Sequence, residues 1–170
     1  MRVLVTGSRG FVGSHLVKRL AGTGLKILAF NKTPPQPADI EFLKPVIESV
    51  EFVTGDITDA RTWNKVFSEY RIQGIIHSAA INGEAQARKF PDLTMRTNIS
   101  GTLELLIAAN TARIKKFVYV GSGTQYGPRT DLTPLKENDN CSPRGLYPCA
   151  KQAKELTGIA YSKLSGINFV

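Results

Sequence analysis

Short apolar runs alternate along the chain with longer stretches in which apolar residues recur at helical spacing. The runs are rich in β-branched residues and are bounded by Gly, Pro, Asn or Asp, which is typical of β-strands that end in turns. They are continuously apolar rather than alternating, as strands buried on both faces of a sheet are. The predicted strands cover residues 3–6, 25–30, 50–54, 74–80, 116–121 and 166–170.

The stretches between these strands predict helices. The clearest one follows Asp59, a good N-cap residue, and places Trp63, Val66, Phe67 and Tyr70 on one core-facing side. Strands that alternate with helices through right-handed crossovers predict an α/β, Rossmann-type doubly wound parallel sheet with helices on both faces. Its expected strand order is 3-2-1-4-5-6. Other helices are predicted directly after the first strand and over residues 39–43, 93–112 and 146–164.

A glycine-rich turn links the first strand to the first helix. Gly7, Gly10 and Gly13 follow the apolar run and precede a helical pattern. A strand, a glycine turn and a helix in this order present backbone N–H groups and a helix N-terminus to a phosphate anion. Gly7 permits the tight turn, Gly10 permits close approach of a pyrophosphate, and Gly13 permits close packing of the helix. The segment therefore predicts a dinucleotide site.

Length and charge narrow the class of protein. The 170 residues, 42% of them hydrophobic, suit one domain over residues 1–170. The 22 basic and 14 acidic residues give a net charge of +8, which suits anionic ligands and makes nucleic acid a rival partner. The positive charges are scattered, however, and the densest group, Arg113, Lys115 and Lys116, follows a predicted helix, where cations are ordinary. We expect no nucleic-acid partner.

The two cysteines and the first residues of the chain indicate the cellular compartment of the protein. Cys141 and Cys149 form no CxxC motif and have no paired histidines nearby, so we expect free thiols in a reducing compartment and no metal site. Met1 leads directly into the first strand, which leaves no room for a signal peptide. No apolar run approaches the length of a membrane span. These features predict a cytoplasmic protein without membrane association.

A tyrosine and a lysine follow the fifth predicted strand. Tyr147 and Lys151 are four residues apart, so they share one face of a helix. A neighbouring ammonium lowers the pKa of a phenol, which lets it exchange a proton with a substrate alcohol during hydride transfer. Ser122, at the end of the fifth strand, is a candidate for holding the substrate oxygen. The alternative is that Tyr147 only packs and Lys151 is solvated.

Six ordered motifs resemble the extended short-chain dehydrogenase/reductases, in the NAD-dependent epimerase/dehydratase group that acts mainly on nucleotide sugars. The resemblance covers essentially the whole chain. It implies that Ser122 is the catalytic hydroxyl, that Tyr147 is the acid–base residue, and that Lys151 binds the nicotinamide ribose and tunes the tyrosine. The motifs are Val5–Gly13, Gly55–Ile57, His77–Ala80, Asn98–Thr102, Phe117–Gly127 and Tyr147–Lys151 with Glu155.

The resemblance also implies a set of cofactor contacts. Asp56 and Ile57 would flank the adenine, Ala79 and Ala80 would line the path of the cofactor, and Asn98 would support a backbone or water contact. With the glycine turn and the end of the second strand, the expected cofactor-binding residues are Gly7, Arg9, Gly10, Phe11, Val12, Gly13, Asn31, Lys32, Asp56, Ile57, Ala79, Ala80, Asn98, Tyr147 and Lys151.

Departures from the family pattern favour NADP over NAD. Many NAD-using relatives carry an acidic residue at the end of the second strand, where this chain has Asn31 followed by Lys32. Arg9 adds a further cation in the glycine turn. A missing carboxylate and nearby cations suit a 2′-phosphate. The alternative is that Arg9 and Lys32 are exposed loop residues.

The residues after Ser122 bear on the reaction. Relatives that dehydrate sugars carry an Asp-Glu pair there, whereas this chain has Gly123-Thr124. The resemblance therefore implies 4-epimerisation or keto-group reduction of a nucleotide sugar, and NADP use would favour the reductase. Val170 falls inside the sixth strand, so the C-terminal substrate domain of the family is absent from this chain. A non-catalytic cofactor-binding subunit or a fragment without turnover is the alternative, and the resemblance implies a homodimer.

Overall fold

A six-stranded parallel sheet organises the chain. The structure, a computed structural model, describes residues 1–129 and 133–170. The strand order is β3-β2-β1-β4-β5-β6, with every neighbouring pair parallel, which confirms the predicted doubly wound topology. The strands are β1 (Arg2–Thr6), β2 (Lys26–Asn31), β3 (Val50–Thr54), β4 (Gly74–His77), β5 (Lys116–Tyr119) and β6 (Asn168–Phe169).

Helices connect the strands and cover the sheet. Three short helical turns accompany them: 3₁₀ turns at Lys44–Ser49 and Gly123–Tyr126, and a wider π turn at Arg96–Ser100. The α-helices of the described residues are α1 (Phe11–Ala21), α2 (Pro37–Leu43), α3 (Ala60–Glu69), α4 (Glu84–Lys89), α5 (Pro91–Met95), α6 (Gly101–Thr111) and α7 (Leu146–Ser165).

The core has two apolar layers, one on each face of the sheet. Leu4 belongs to the layer under α3 and α6, whereas its neighbours Val3 and Val5 belong to the layer under α1 and α2. Successive side chains of a strand point to opposite faces, so a strand covered on both sides must be apolar at every position. Trp63 is fully buried in the first layer, as the helical periodicity predicts, and its indole N–H donates to the Ile57 carbonyl oxygen at 3.0 Å.

Two helices differ from the sequence-based prediction. The helix expected over residues 93–112 is interrupted by the π turn, within which the buried Asn98 side chain bonds to the Ile81 backbone. Extra turns of this kind often occur where a side chain must leave the regular helical ladder. The helical pattern after the first strand predicts one apolar face of Val12, Leu16, Val17 and Leu20, whereas the residues of α1 that are buried are Gly13, Val17 and Ala21. Small residues let this helix lie close to the sheet.

Candidate functional site

A cleft of about 640 Å³ opens at the C-terminal ends of the strands. This is the edge where open α/β sheets bind ligands. The apolar side chains of Phe11 and Val12, at the start of α1, remain 84% and 46% exposed at its rim. The expected site residues that line the cleft are Gly7, Gly10, Phe11, Val12, Asn31, Lys32, Asp56, Ile57, Ala79, Ala80, Tyr147 and Lys151.

Two of the three glycines in the turn, Gly7 and Gly13, leave no space for a β-carbon. Gly7 has φ of 68°, and a β-carbon there would lie 2.7 Å from the Ala79 backbone nitrogen. A β-carbon on Gly13 would lie 2.1 Å from the Gly7 carbonyl oxygen. At Gly10 the corresponding distance is 3.2 Å. Gly10 is the N-cap of α1, and no side chain of the described residues caps the helix start. The first-turn N–H groups are thus available to an anion.

The Arg9 side chain does not line the cleft. Its Nε atom donates to Asp39 Oδ2 at 2.6 Å, and a terminal nitrogen donates to the Thr33 hydroxyl. Asp39 belongs to the first turn of α2, 30 residues away along the chain, so the sequence pattern offers no sign of the pair. The guanidinium that the sequence assigns to a 2′-phosphate is therefore already bound to a carboxylate.

Lys32 lines the cleft but also pairs with a carboxylate. Its Nζ atom lies 2.9 Å from Asp56 Oδ2. Partial burial raises the pKa of Asp56, but hydrogen bonds from the Thr58 backbone and side chain and the pairing with Lys32 outweigh it and hold the pKa at about 2. Asp56 is therefore an anion at neutral pH, at the same cleft wall as Lys32.

Tyr147 and Lys151 enter the cleft together from the first turns of α7. The Lys151 ammonium donates to the Val120 carbonyl oxygen and lies 4.6 Å from the centre of the Tyr119 ring. Burial lowers the pKa of Lys151 to about 8, and the Glu155 carboxylate opposes that shift. At neutral pH the Lys151 side chain is mostly charged, and it lies one helical turn from Tyr147 on the same helix.

Ser122 lies beside the cleft rather than in its wall. Its hydroxyl shares a 2.8 Å hydrogen bond with the Thr124 hydroxyl and accepts a longer one from the Thr124 backbone N–H. The neighbouring Gly121 lines the cleft instead. The structure therefore brings Tyr147 and Lys151 together with the glycine turn, and leaves the third expected catalytic side chain bonded to its own loop.

Asn98 is also outside the cleft wall. It is fully buried, its Oδ1 atom accepts from the Ile81 N–H at 2.8 Å, and its Nδ2 atom donates to the Ile81 carbonyl oxygen at 3.1 Å. Through these two bonds the Asn98 side-chain amide holds the backbone of the loop that follows β4. Asn98 thus shapes the loop that carries Ala79 and Ala80, and Gly13 likewise acts from behind the glycine turn.

Glu84 is a site residue that sequence reasoning missed. Its carboxylate accepts from the Leu146 N–H at 3.3 Å and from the Tyr147 N–H at 3.0 Å, and it pairs with Arg88. The hydrogen bond from the Tyr147 backbone is the main reason that its pKa lies below the usual range. Glu84 therefore caps the helix that carries Tyr147, although the two residues are more than 60 positions apart along the chain. No local sequence motif predicts this contact.

Lys154 is a second missed residue. It is fully buried, its Nζ atom donates to the Ala79 carbonyl oxygen at 2.8 Å, and it lies 5.2 Å from the centre of the Tyr119 ring. Burial, and then the charge of Lys151, hold its pKa well below the ordinary value. A signal was present, since Tyr147, Lys151 and Lys154 follow the i, i+4, i+7 spacing of one helix face.

Replacing Lys154 by methionine is expected to flatten the pH dependence of stability. The buried amine binds a proton more weakly in the folded state, so the unfolded state holds more protons and the free energy of unfolding rises with pH towards the unfolded pKa. Between pH 7 and 9.5 the free energy of unfolding of the wild type should rise relative to that of Lys154→Met by up to about 1.4 kcal/mol per pH unit. Urea unfolding at several pH values measures this.

The matched control is Lys163→Met, which removes an exposed lysine from the last turn of the same helix. Its unfolding free energy should run parallel to that of the wild type across the same pH range. Parallel curves for Lys154→Met and the wild type would show that Lys154 carries its proton equally in both states.

Other site types have no support in the described residues. No group of three or more His, Cys, Asp or Glu side chains in residues 1–129 and 133–170 is arranged to hold a metal ion. Within the same residues, no helix has both the length and the apolar content needed to cross a membrane. His77, in β4, is buried and bonded at both ring nitrogens, to the hydroxyls of Thr6 and Thr102, so it is a core histidine.

The sheet order, the glycine turn and the cleft at the strand ends define a Rossmann-type α/β protein. The sequence profile of the NAD dependent epimerase/dehydratase family matches residues 3–170, which is nearly the whole chain. The protein belongs to this family. This confirms the resemblance to extended short-chain dehydrogenase/reductases on which the expected site was based.

Individual relatives agree with that assignment. The UDP-glucose 4-epimerase of Lacticaseibacillus casei is 32% identical over 155 residues, which cover 91% of this chain and 45% of the relative. The UDP-glucose 4-epimerase of Thermus thermophilus, solved in complex with NAD, superposes with a TM-score of 0.89 at 28% identity, covering 99% of this chain and 53% of that one. The dTDP-glucose 4,6-dehydratase of Streptomyces venezuelae, solved with NAD, gives 0.87 at 28% identity, covering 99% and 54%. The chain spans about half the length of these relatives.

Proposed function

We propose that this chain is the cofactor-binding part of an NAD-dependent nucleotide-sugar 4-epimerase. The observation that carries the proposal is the shared cleft, in which Tyr147 and Lys151 face the glycine turn across the strand ends. An anion-binding turn and an acid–base pair in one cleft suit hydride transfer at a carbon that bears a hydroxyl.

The residues present fit a dinucleotide. No side chain of the described residues caps the start of α1, and Gly7 and Gly10 line the cleft beside it, so the first-turn N–H groups are free where a pyrophosphate would lie. Asn31, Asp56 and Ile57 line the other end of the cleft, where they would hold the adenosine. The bound NAD would supply the hydride acceptor, and later the donor.

The proposed chemistry of the protein is a proton shuttle at the Tyr147 phenolic oxygen. In the first half-reaction this oxygen takes the proton of the sugar hydroxyl as the hydride leaves the same carbon. In the second half it returns the proton as the hydride comes back to the opposite face. The Lys151 ammonium would bind the ribose hydroxyls beside the phenol, and the Ser122 hydroxyl is the proposed partner of the sugar oxygen.

We propose NAD rather than the NADP that the sequence pattern favours. Of the two cations on which that expectation rested, Arg9 is held by Asp39 in a largely buried ion pair, and only the exposed Lys32, which pairs with Asp56, could turn to a phosphate at little cost. Similar solved structures contain NAD, among them the UDP-glucose 4-epimerases of Thermus thermophilus and Brucella ovis. The expectation of a reductase rested on NADP use, so it loses its basis if the cofactor is NAD. An epimerase, which regenerates its cofactor in each turnover, fits NAD.

A hydride-transfer assay tests the proposal. The 170-residue chain and the longer enzyme of which it is the proposed cofactor-binding part are each incubated with NAD and a panel of UDP- and dTDP-hexoses. An epimerase converts the sugar at its 4-position without net use of cofactor, whereas a reductase consumes reduced cofactor stoichiometrically. Sugar conversion by neither protein, with NAD bound, would overturn the proposal.

A cofactor-binding subunit without turnover is the second candidate. It is favoured by one observation, the bond between the Ser122 and Thr124 hydroxyls, which keeps Ser122 out of the cleft wall. The same assay separates the two functions, because a binding subunit would take up NAD and leave every sugar unchanged.

A further inference from the structure

We infer that Asp39 sets the cofactor preference by holding the Arg9 guanidinium away from a 2′-phosphate. The inference rests on the proposed function, since it concerns the adenosine end of the same cleft. Asp39 is not one of the expected site residues, and it lies on α2 rather than at the end of β2.

The Arg9 side chain is held by two acceptors. Its Nε atom and Asp39 Oδ2 are 2.6 Å apart, and the Thr33 hydroxyl accepts from a terminal nitrogen. Only 18% of the Arg9 side chain and 20% of the Asp39 side chain are exposed. An ion pair with this geometry and so little solvent exposure is far less screened than an ordinary surface pair.

The acceptors are themselves fixed. Asp39 Oδ2 also accepts from the Gln36 backbone N–H at 2.7 Å, which places the carboxylate at the start of its own helix. The Thr33 hydroxyl also accepts from the Asn31 amide at 3.2 Å. Rotation of Arg9 towards a ligand would therefore break a charged hydrogen bond and leave a partly buried carboxylate without its cation.

The second cation at this end of the cleft does not decide the preference. The Lys32 side chain is 67% exposed, and its pair with Asp56 can open at little cost, because surface ion pairs contribute roughly 0–1 kcal/mol. Lys32 is thus available to either cofactor. Only an arginine offers the planar, bidentate fork that suits a phosphate, and here Asp39 binds the Nε atom of that fork while Thr33 binds one terminal nitrogen.

Charge at the Arg9–Asp39 pair gives the direction of the effect. With Asp39 ionised the pair is neutral, and a phosphate dianion beside it meets a carboxylate as well as a guanidinium. Removing the carboxylate charge leaves one uncompensated positive charge at the same place. NAD has a neutral ribose hydroxyl there, for which the neutral Asn31 amide is a suitable neighbour, so its binding should change little.

The Asp39→Asn variant tests this by calorimetric titration with NAD and NADP. Asparagine retains an oxygen that can cap α2, so the helix start is kept. We expect NADP to bind about tenfold more tightly than to the wild type, the size of one charge-assisted hydrogen bond, and NAD affinity to stay within about threefold. The melting temperature, measured alongside, reports folding. Asp39→Ser, which also keeps a capping oxygen, is the second variant.

Glu41→Gln is the matched control. Glu41 lies on the same helix, its side chain is 74% exposed, and it pairs with the similarly exposed Lys44, so this variant makes the same change in net charge without touching Arg9. It should leave both affinities unchanged. The double variant Arg9→Gln/Asp39→Asn should lose the gain in NADP affinity.

Three outcomes would overturn the inference. An equal gain in Glu41→Gln would assign the effect to net charge, and a gain that survives in the double variant would assign it to a residue other than Arg9. If NAD binds and the ratio of NAD to NADP affinity is the same in Asp39→Asn and the wild type, the inference is overturned and the proposed function stands. Failure of every protein to bind either cofactor would overturn both.

Discussion

Gly13→Ala is expected to destabilise the protein by at least about 3 kcal/mol, beyond the usual cost of overpacking. The new β-carbon would lie 2.1 Å from the Gly7 carbonyl oxygen and 2.8 Å from its carbonyl carbon. Both are backbone atoms, which cannot rotate away, so α1 must move off the turn. Urea unfolding measures the loss, and the displaced helix start should also abolish NAD binding in calorimetry.

Gly123→Ala is the control for this substitution. No atom of the described residues lies within 4 Å of the position that its β-carbon would take, and its φ is not left-handed. Its free energy of unfolding should stay within about 0.5 kcal/mol of the wild type, as for ordinary surface changes. If Gly13→Ala unfolds at the same urea concentration as Gly123→Ala, the packing of α1 on the turn is looser than these distances indicate.

Tyr147→Phe is expected to reduce sugar turnover by about a thousandfold, within the range that a general acid–base group contributes. Phenylalanine keeps the ring in the cleft wall but removes the oxygen that would exchange the proton. NAD should still bind, since the glycine turn and the adenosine end are untouched. The hydride-transfer assay on the longer enzyme of which this chain is the proposed cofactor-binding part measures turnover, and calorimetry measures NAD affinity.

Tyr161→Phe makes the same chemical change further along α7, where the ring packs against the core. It should retain nearly full turnover. A Tyr147→Phe protein that turns over sugar at the rate of Tyr161→Phe would remove the phenol from the mechanism. Loss of turnover together with loss of NAD affinity would instead indicate a role in cofactor binding.

Much of the fold could be predicted because its signals are local. The central strands β1, β2 and β4 are short, largely buried apolar runs, and right-handed crossovers limit how the elements can be ordered in the sheet. The glycine turn could also be predicted, because Gly7 and Gly13 are required by contacts within a few residues or at the adjacent strand end. The helix break at Arg96–Ser100 could not be predicted, because the buried Asn98 within it bonds to Ile81, in the loop after β4.

The candidate site divides in the same way. The Tyr147 and Lys151 spacing on one helix placed both side chains in the cleft, whereas the expectation for Arg9 assumed a free guanidinium. Nothing near Arg9 in the chain shows that Asp39 comes within 2.6 Å of it. The capping of the Tyr147 helix by Glu84 of α4 could not be predicted from the sequence for the same reason, because the two residues are far apart along the chain.

The sequence by itself determined the class of the protein: the parallel sheet, the glycine turn at its centre, and the helix face that carries a tyrosine and a lysine. These features follow from periodicity and spacing, which act over a few residues. The tertiary structure alone decided which charges are free at the cleft, because ion pairs such as Arg9–Asp39 and buried amines such as Lys154 depend on neighbours brought together by folding. The proposed preference for NAD rests on these long-range contacts rather than on the local sequence pattern.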